Sequence, residues 1–307
     1  MKLFSKIRTA GMALALSLVA MPLAMADAGT TAINEVMAAQ EATSKQAYVQ
    51  YELKGTLFSP VGIGNLLVNG NVVDLTPRKK NQERVTKAEA HGTAELVVLG
   101  SQKTMSTPVE AYAEAQGKKL TEYIKTDKGW EKTIVPFSMP TEEEIAQSLK
   151  DYRATLSSAE MIKEDSREKV YKVTGDWNRI LDLQDRTAKK SMKVNGVDVA
   201  ELLRQVKDVN YIIAVDKKTH RITALSWDLT PLLQTAGAQL MDAAATQDKN
   251  LDRNQLEMMK AMLKGSSLNL NVLLRYEKGK DVVIPAEVRN ATVVVEKATK
   301  QSLVSSH

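Results

Sequence analysis

Residues able to do acid–base, nucleophilic or metal chemistry are few in this chain, and their spacing brings none of them together. Only three histidines occur in 307 residues. His91 falls on the polar side of an alternating run, His220 sits among turn residues, and His307 is the last residue, so no pair has the spacing of metal ligands. Asp248, Asn250, Asp252 and Asn254 match positions one, three, five and seven of a calcium loop, but position six is Arg253 and position twelve is Met259. Such a loop needs a glycine for its sharp turn and a bidentate carboxylate to complete the shell. The segment therefore reads as a polar connection between helices. Glu142, Glu143 and Glu144 read as residues of a helix's first turn, where the dipole favours negative charge. Gly62-Ile63-Gly64 lacks the third glycine of a dinucleotide loop, and the chain has no Gly-x-Ser-x-Gly, no His-Glu-x-x-His and no phosphate-binding loop. Asn290-Ala291-Thr292 matches a glycosylation acceptor but reads as turn chemistry in a chain whose leader looks bacterial. No catalytic residue, metal or cofactor is expected, and the chain is not expected to be an enzyme.

What remains is apolar surface, and composition says where it must work. Lys2, Lys6 and Arg8, the apolar stretch from Ala10 to Val19 and Ala24-Met25-Ala26 before Asp27 form an export signal, cleaved between Ala26 and Asp27. The stretch is too short, and interrupted by Pro22, for the roughly 20 apolar residues of a bilayer span. The mature protein is thus expected in the periplasm or secreted, and not membrane-spanning. Losing the signal leaves 281 of the 307 residues, with 39 Lys and Arg against 37 Asp and Glu, so the net charge of +5 falls to +2. That surplus gives no case for nucleic acid. The absence of cysteine excludes disulfides, thiol nucleophiles and Cys-ligated metals.

The elements that would position the apolar surface follow from its periodicity. Residues 31–46 carry Ile33, Val36, Met37 and residues 39–42 at helical spacing. Residues 47–57 switch to strict alternation of Val49, Tyr51, Leu53 and Leu57 with polar neighbours. Residues 65–75, the alternating set Ala90, Ala94, Leu96 and Val98, and the set Val109, Ala111, Ala113 and Ala115 predict further strands. Gly117-Lys118-Lys119 and Asp127-Lys128-Gly129 predict hairpin turns that complete an antiparallel meander through residues 120–125 and 130–135. Thr141 with Glu144 forms a capping box for a helix carrying Ile145, Leu149, Tyr152 and Leu156. Strands are expected again at 169–177, a short helix at 199–209 with Leu202, Leu203 and Val206, and a hairpin of 211–215 with 221–229. Thr230-Pro231 opens a long helical stretch that is recapped near Asp252 and closed by Gly265. Leu268, Leu270, Val272 and Leu274 then mark a strong strand. The fold class expected from these elements is α+β, a long, strongly curved antiparallel sheet with helices. One domain over residues 27–300 is expected between the signal, 1–26, and a C-terminal tail, 301–307.

Three short motifs occur in a telling order: Tyr123-Ile124-Lys125 with Gly129-Trp130-Glu131-Lys132, Val215-Asp216-Lys217-Lys218-Thr219 with Ile222, and Ile284-Pro285-Ala286-Glu287-Val288-Arg289-Asn290-Ala291. In this order the chain resembles the LolA and LppX-like half-barrel superfamily of lipoprotein carriers and envelope lipid-binding proteins, and within it an uncharacterised secreted bacterial branch. The likeness runs over residues 32–294. Branch members often carry an anchoring cysteine, which this chain lacks. The resemblance implies that the curved antiparallel sheet is an incomplete β-barrel, with helices covering its concave apolar face, and that this face holds acyl chains.

On that basis the ligand-binding residues expected are Val49, Tyr51, Leu53, Leu96, Trp227, Leu268, Leu270 and Val272 in the groove, with Met258, Met259 and Met262 on a helical lid. Methionine is flexible and polarizable and suits varied apolar partners. The function expected is an exported carrier or sensor of a hydrophobic ligand, a lipid or an acylated protein, in the cell envelope. The alternative is a structural or protein-interaction module, with an envelope protein as partner, whose core is packed solid and holds no ligand.

Overall fold

The computed structural model describes residues 31–75, 85–101, 103–137, 142–187, 193–194, 197–198, 204, 206, 208–247 and 253–294. The signal, its Ala26–Asp27 junction, Thr141, Leu202, Leu203, Asp248, Asn250, Asp252 and the tail with His307 lie outside them. The chain order is α1 (Thr31–Ser44), β1 (Tyr48–Ser59), β2 (Gly62–Asp74), β3 (Val85–Val98), β4 (Lys103–Gln116), β5 (Lys119–Thr126) and β6 (Gly129–Pro136). Then follow α2 (Glu142–Thr155), β7 (Leu156–Glu164), β8 (Glu168–Asp176), α3 (Trp177–Thr187), a small separate hairpin of β9 (Lys193–Val194) with β10 (Val197–Asp198), β11 (Asp208–Asp216) and β12 (Ile222–Asp228). Two helices, α4 (Thr230–Gln247) and α5 (Arg253–Lys264), lead to β13 (Ser267–Arg275), α6 (Ala286–Arg289) and β14 (Thr292–Val293).

Twelve strands form one sheet in the order β14-β6-β5-β4-β3-β2-β1-β13-β12-β11-β8-β7. Two meanders meet at its centre, where β1 pairs with β13. Every neighbouring pair is antiparallel except β14 with β6. The sheet is open and curved, not closed into a barrel, and with its helices it is the expected α+β half-barrel.

Register explains the curvature. Val72, Gly70, Val68 and Leu66 of β2 stand opposite Ala88, Ala90, Gly92 and Ala94 of β3. Ala88 and Ala90 stand opposite Ala113 and Ala111 of β4. One face of β3 and β4 is thus almost bare of side-chain volume, and strands bend toward such a face without collision. Two glycines are required by close approach. A Cβ on Gly70 would lie 2.3 Å from the Tyr51 ring and 2.2 Å from the Glu89 carbonyl, and one on Gly92 would lie 1.9 Å from the Leu67 carbonyl.

Helix α1 covers part of this inner face. Its stripe of Ile33, Val36, Met37, Ala39 and Gln40 is buried, and it lies over β7, β11 and β12. Each aliphatic side chain buried there contributes about 1.5–3 kcal/mol. Polar contacts fix its position: Lys169 Nζ donates to Glu35 Oε1 at 2.9 Å, the Tyr171 hydroxyl donates to Glu35 Oε2, and the Ile222 amide donates to Thr43 Oγ1 at 2.9 Å.

The outer face carries a second apolar cluster. After β13 the chain crosses back over the sheet, and Val282, Ile284 and Val288 bury against Val73, Tyr112 and Tyr123, with Trp130 beside them. Lys132 Nζ donates to the Arg289 carbonyl at 3.2 Å and Arg289 pairs with Glu114 at 3.2 Å. The first and third motifs of the sequence therefore meet, and they act as the lock of this strap.

Several expectations need correction. Asp208 and Val209 belong to β11, paired with Asp176 and Gly175, not to a helix. Leu156 opens β7 directly after α2, and β7 is an edge strand with two register shifts, so its alternation is broken. Trp177 starts α3, not the end of a strand. Asp176 Oδ1 accepts from the amides of Asn178 at 3.0 Å and Arg179 at 3.2 Å, an ordinary N-cap.

Candidate functional site

The site is built from period-two faces brought into one surface by register. Leu53 stands opposite Val272 and Val68; Gly55 stands opposite Leu270 and Leu66; Leu57 stands opposite Leu268 and Gly64. Val272 and Leu270 continue to Leu225 and Trp227 on β12, and Trp227 to Tyr211 on β11. On the other side Gly64 leads to Leu96, and Leu96 to Met105. All eight expected groove residues, Val49, Tyr51, Leu53, Leu96, Trp227, Leu268, Leu270 and Val272, therefore share the inner face.

Burial divides that face into two halves. Toward the β1 N-terminus Val49, Tyr51, Leu53 and Val272 are buried, with Leu53 only 3 % exposed. Two pleat repeats further along the same strand and face, Leu57 is 38 % exposed, and Met105 across the sheet is 53 % exposed. Leu96, Trp227, Leu268 and Leu270 are half-buried between these extremes. The closed half is packed core, in one buried cluster with Ile33, Val36 and Met37 of α1, and the open half is an apolar trough that runs toward the β1–β2 and β3–β4 turns.

A neutral polar knot marks the boundary. Gln40 Nε2 donates to the Tyr152 hydroxyl at 3.2 Å, the hydroxyls of Tyr152 and Tyr211 are hydrogen-bonded, and the Tyr211 ring stacks on Trp227 with centroids 6.4 Å apart. Burial raises the pKa of both tyrosines, so they stay neutral. Nearby, burial pushes the Tyr276 hydroxyl up to about 12, and it donates to the Ile222 carbonyl. Glu35 is the one carboxylate of the α1 pins, and the Tyr171 hydroxyl and then Lys169 hold it below the usual range. None of these groups forms an acid–base pair with a free partner in the trough.

Helices α4 and α5 stand at the open end, between β12 and β13. They are tied to the sheet: the Leu268 amide donates to Thr230 Oγ1 at 3.0 Å, and Gln234 Nε2 donates to the carbonyls of Lys264 at 2.9 Å and Ser266 at 3.0 Å. Of the expected lid residues, Met258 and Met259 are exposed and Met262 is half-buried. Leu256 is the buried side chain of α5.

Alternation in single strands put the eight residues on one face and marked Leu57 and Ala94 as well, but it did not mark Leu66 and Met105, which line the open half with Leu96, Trp227, Leu268 and Leu270. Leu66 was hidden in an apolar run without alternation, and Met105 lies beyond the alternating part of β4. The pairing partners, not the strands alone, identify both.

Outside the trough, a depression of about 200 Å³ on the outer face is lined by Gln50, Glu52, Asn69, Asn71, Glu89, His91 and Arg275 among others. Its groups are largely partnered to one another: Asn71 Nδ2 donates to Glu89 Oε1 at 2.5 Å, His91 lies 3.8 Å from Glu89, and Glu52 pairs with Lys54 at 2.6 Å. That is the ordinary state of a solvated sheet face. Among the described residues no group of three or more His, Asp or Glu could hold a metal ion, and no described helix is long and apolar enough to cross a membrane.

Neither a protein-family model nor a curated protein sequence matches the chain. Among solved structures it is similar to lipoprotein LppX of Mycobacterium tuberculosis, with 11% identity over 82% of this chain and 99% of that one and a TM-score of 0.36. It is similar to LprF from Mycobacterium bovis, with 12% identity over 86% and 100% and a TM-score of 0.36. A DUF1329 family protein from Desulfovibrio piger aligns with 7% identity over 83% and 96% and a TM-score of 0.28. These likenesses concern the fold, and the half-barrel expected from the motif order is the architecture that strand order and register establish.

Proposed function

We propose that the open half of the inner face binds a hydrophobic ligand, a lipid or the acyl chains of a lipoprotein, and that the protein is an exported carrier or sensor in the cell envelope without catalysis. One observation carries this: along β1 the same apolar face passes from 3 % exposure at Leu53 to 38 % at Leu57, with the half-buried Leu96, Leu268 and Leu270 and the exposed Met105 continuing it across the sheet. Apolar surface left open to water costs about 25 cal/mol per Å² relative to burial, and contiguous patches of this kind mark ligand or partner sites. Leu96, Trp227, Leu268 and Leu270 line the trough in this reading, and Met258, Met259 and Met262 belong to the α4–α5 cover. Val49, Tyr51, Leu53 and Val272 form its packed inner end.

The solid packing of that inner end favours a second reading, in which the protein is an envelope interaction module without ligand. Native mass spectrometry of the mature protein from its own envelope, followed by organic extraction, separates the two. A stoichiometric acyl-bearing ligand supports the carrier or sensor. A bare mass together with no uptake of a fluorescent fatty-acid probe sinks it and leaves the interaction module.

A further inference from the structure

Hairpin turns in water normally carry polar, turn-forming residues, and two neighbouring turns at the open end of this sheet add exposed large apolar side chains to theirs. Phe58 and Val61 flank Pro60 in the β1–β2 turn and are 44 % and 51 % exposed; Leu99 in the β3–β4 turn is 47 % exposed. The Leu99 amide donates to the Val61 carbonyl at 3.0 Å, so the two turns form one tip. Residues 53–68 and 96–109 contain no Asp or Glu, and they include Lys54 and Lys103. Lys54 is engaged with Glu52, whereas Lys103 is exposed beside the tip. Helix α5 ends with Gly265 packed against Pro60 and brings the exposed Lys264 to the same end.

We propose that this tip docks on an anionic lipid surface, with Phe58, Val61 and Leu99 below the headgroups and Lys103 and Lys264 at the level of the phosphates. An apolar tip with cations at its rim, whose nearest exposed carboxylates Glu95 and Asp228 lie further back at the level of Thr56, has the chemistry of an interfacial membrane anchor. A protein partner fits less well. A stable protein interface buries about 800 Å² per partner, which three protruding side chains do not supply, whereas a bilayer accepts a narrow wedge. The docking stands whether or not the trough is filled; if it is filled, the tip holds its end of the trough against the membrane from which an acyl chain would enter.

Co-sedimentation of the purified mature chain with vesicles of phosphatidylcholine, with and without phosphatidylglycerol, tests this. The expected result is binding to the phosphatidylglycerol vesicles that weakens with salt. Val61→Asp combined with Leu99→Asp should lower that partition by about tenfold or more. Lys103→Glu should lower it about fivefold on anionic vesicles only. Near-UV circular dichroism and the urea midpoint check that the variants are folded, which substitutions at exposed turn positions should leave intact. No sedimentation with anionic vesicles, or unchanged binding by the double variant, overturns the proposal. Self-association in analytical ultracentrifugation that the double variant abolishes also overturns it and assigns the tip to a second copy. Uptake of a fatty-acid probe in vesicle-free solution is read in parallel: vesicle binding without uptake sinks the ligand reading alone, and uptake without vesicle binding sinks the docking alone.

Discussion

Leu53 and Leu57 lie on the same strand and face, four residues apart, and truncating each to alanine asks whether the two halves of the inner face differ in kind. Leu53 is 3 % exposed. Removing its three outer carbons forfeits about 0.8 kcal/mol each, roughly 2.4 kcal/mol, and the sealed cavity left in the core cluster raises the cost of Leu53→Ala to about 3–5 kcal/mol. Leu57 is 38 % exposed. Only about six-tenths of the transfer cost then applies, and an open trough leaves no sealed cavity, so Leu57→Ala should cost about 1.5 kcal/mol or less. Urea unfolding monitored by tryptophan fluorescence, with the slope checked for constancy, gives both numbers. In the same proteins, affinity for a fluorescent fatty-acid probe should fall several-fold in Leu57→Ala and survive in Leu53→Ala at denaturant-free stability. Equal destabilisation by the two truncations would show that side chains fill the open half as tightly as the closed one. Unchanged probe affinity in Leu57→Ala would refute the assignment of the trough as the ligand site.

Three further outcomes follow from local geometry. Glu35→Gln should destabilise the protein at neutral pH by loosening α1. Because Tyr171 and Lys169 hold the Glu35 carboxyl below its ordinary 4.5, that contribution is fully present above this value and is lost as the pH falls through the lowered one. The gap between wild type and Glu35→Gln in thermal midpoint should therefore be flat above about pH 5 and close on acidification; a gap that widens in acid contradicts the contact. Gly70→Ala should cost at least about 1–3 kcal/mol by overpacking. Tyr51→Ala should not rescue it, because the Glu89 carbonyl still lies 2.2 Å from the new carbon; full rescue in a double-mutant cycle would mean the ring is the only obstacle. His220 has φ of 54° in the β11–β12 turn. Glycine removes a left-handed penalty of about 1 kcal/mol at some cost in unfolded-chain entropy, so His220→Gly should raise stability by about 0.5 kcal/mol in urea unfolding; a loss would assign the imidazole a structural contact.

Much of the fold was legible because a half-buried strand writes its two faces into the sequence at period two. Residues 47–57 announced β1, Gly117 and Asp127-Lys128-Gly129 announced the turns between β4, β5 and β6, and Lys217-Lys218-Thr219-His220 announced the β11–β12 hairpin. Strand β7 was missed because it is an edge strand with two register shifts, where neither face is consistently buried. Helix α3 was missed although Asp176 followed by amphipathic residues is a cap signal; the alternation of Lys169 to Gly175 carried the strand past it.

The residue list itself carried the expectation that the histidines and the pattern around Asp248 hold no metal or catalytic site, and that long apolar faces must be covered or occupied, since these depend only on residue type and near-neighbour spacing. It also settled which side chains of β1 and β13 share a face. Tertiary structure alone decided that those faces adjoin, because the pairing of Leu53 with Val272 spans more than two hundred residues and leaves no local signal. It decided as well where the cover stops. A period-two pattern is the same in a packed core and beside open water, so only the tertiary packing, which puts Leu53 in one buried cluster with Ile33, Val36 and Met37 of α1 and leaves Leu57 outside it, distinguishes core at Leu53 from trough at Leu57.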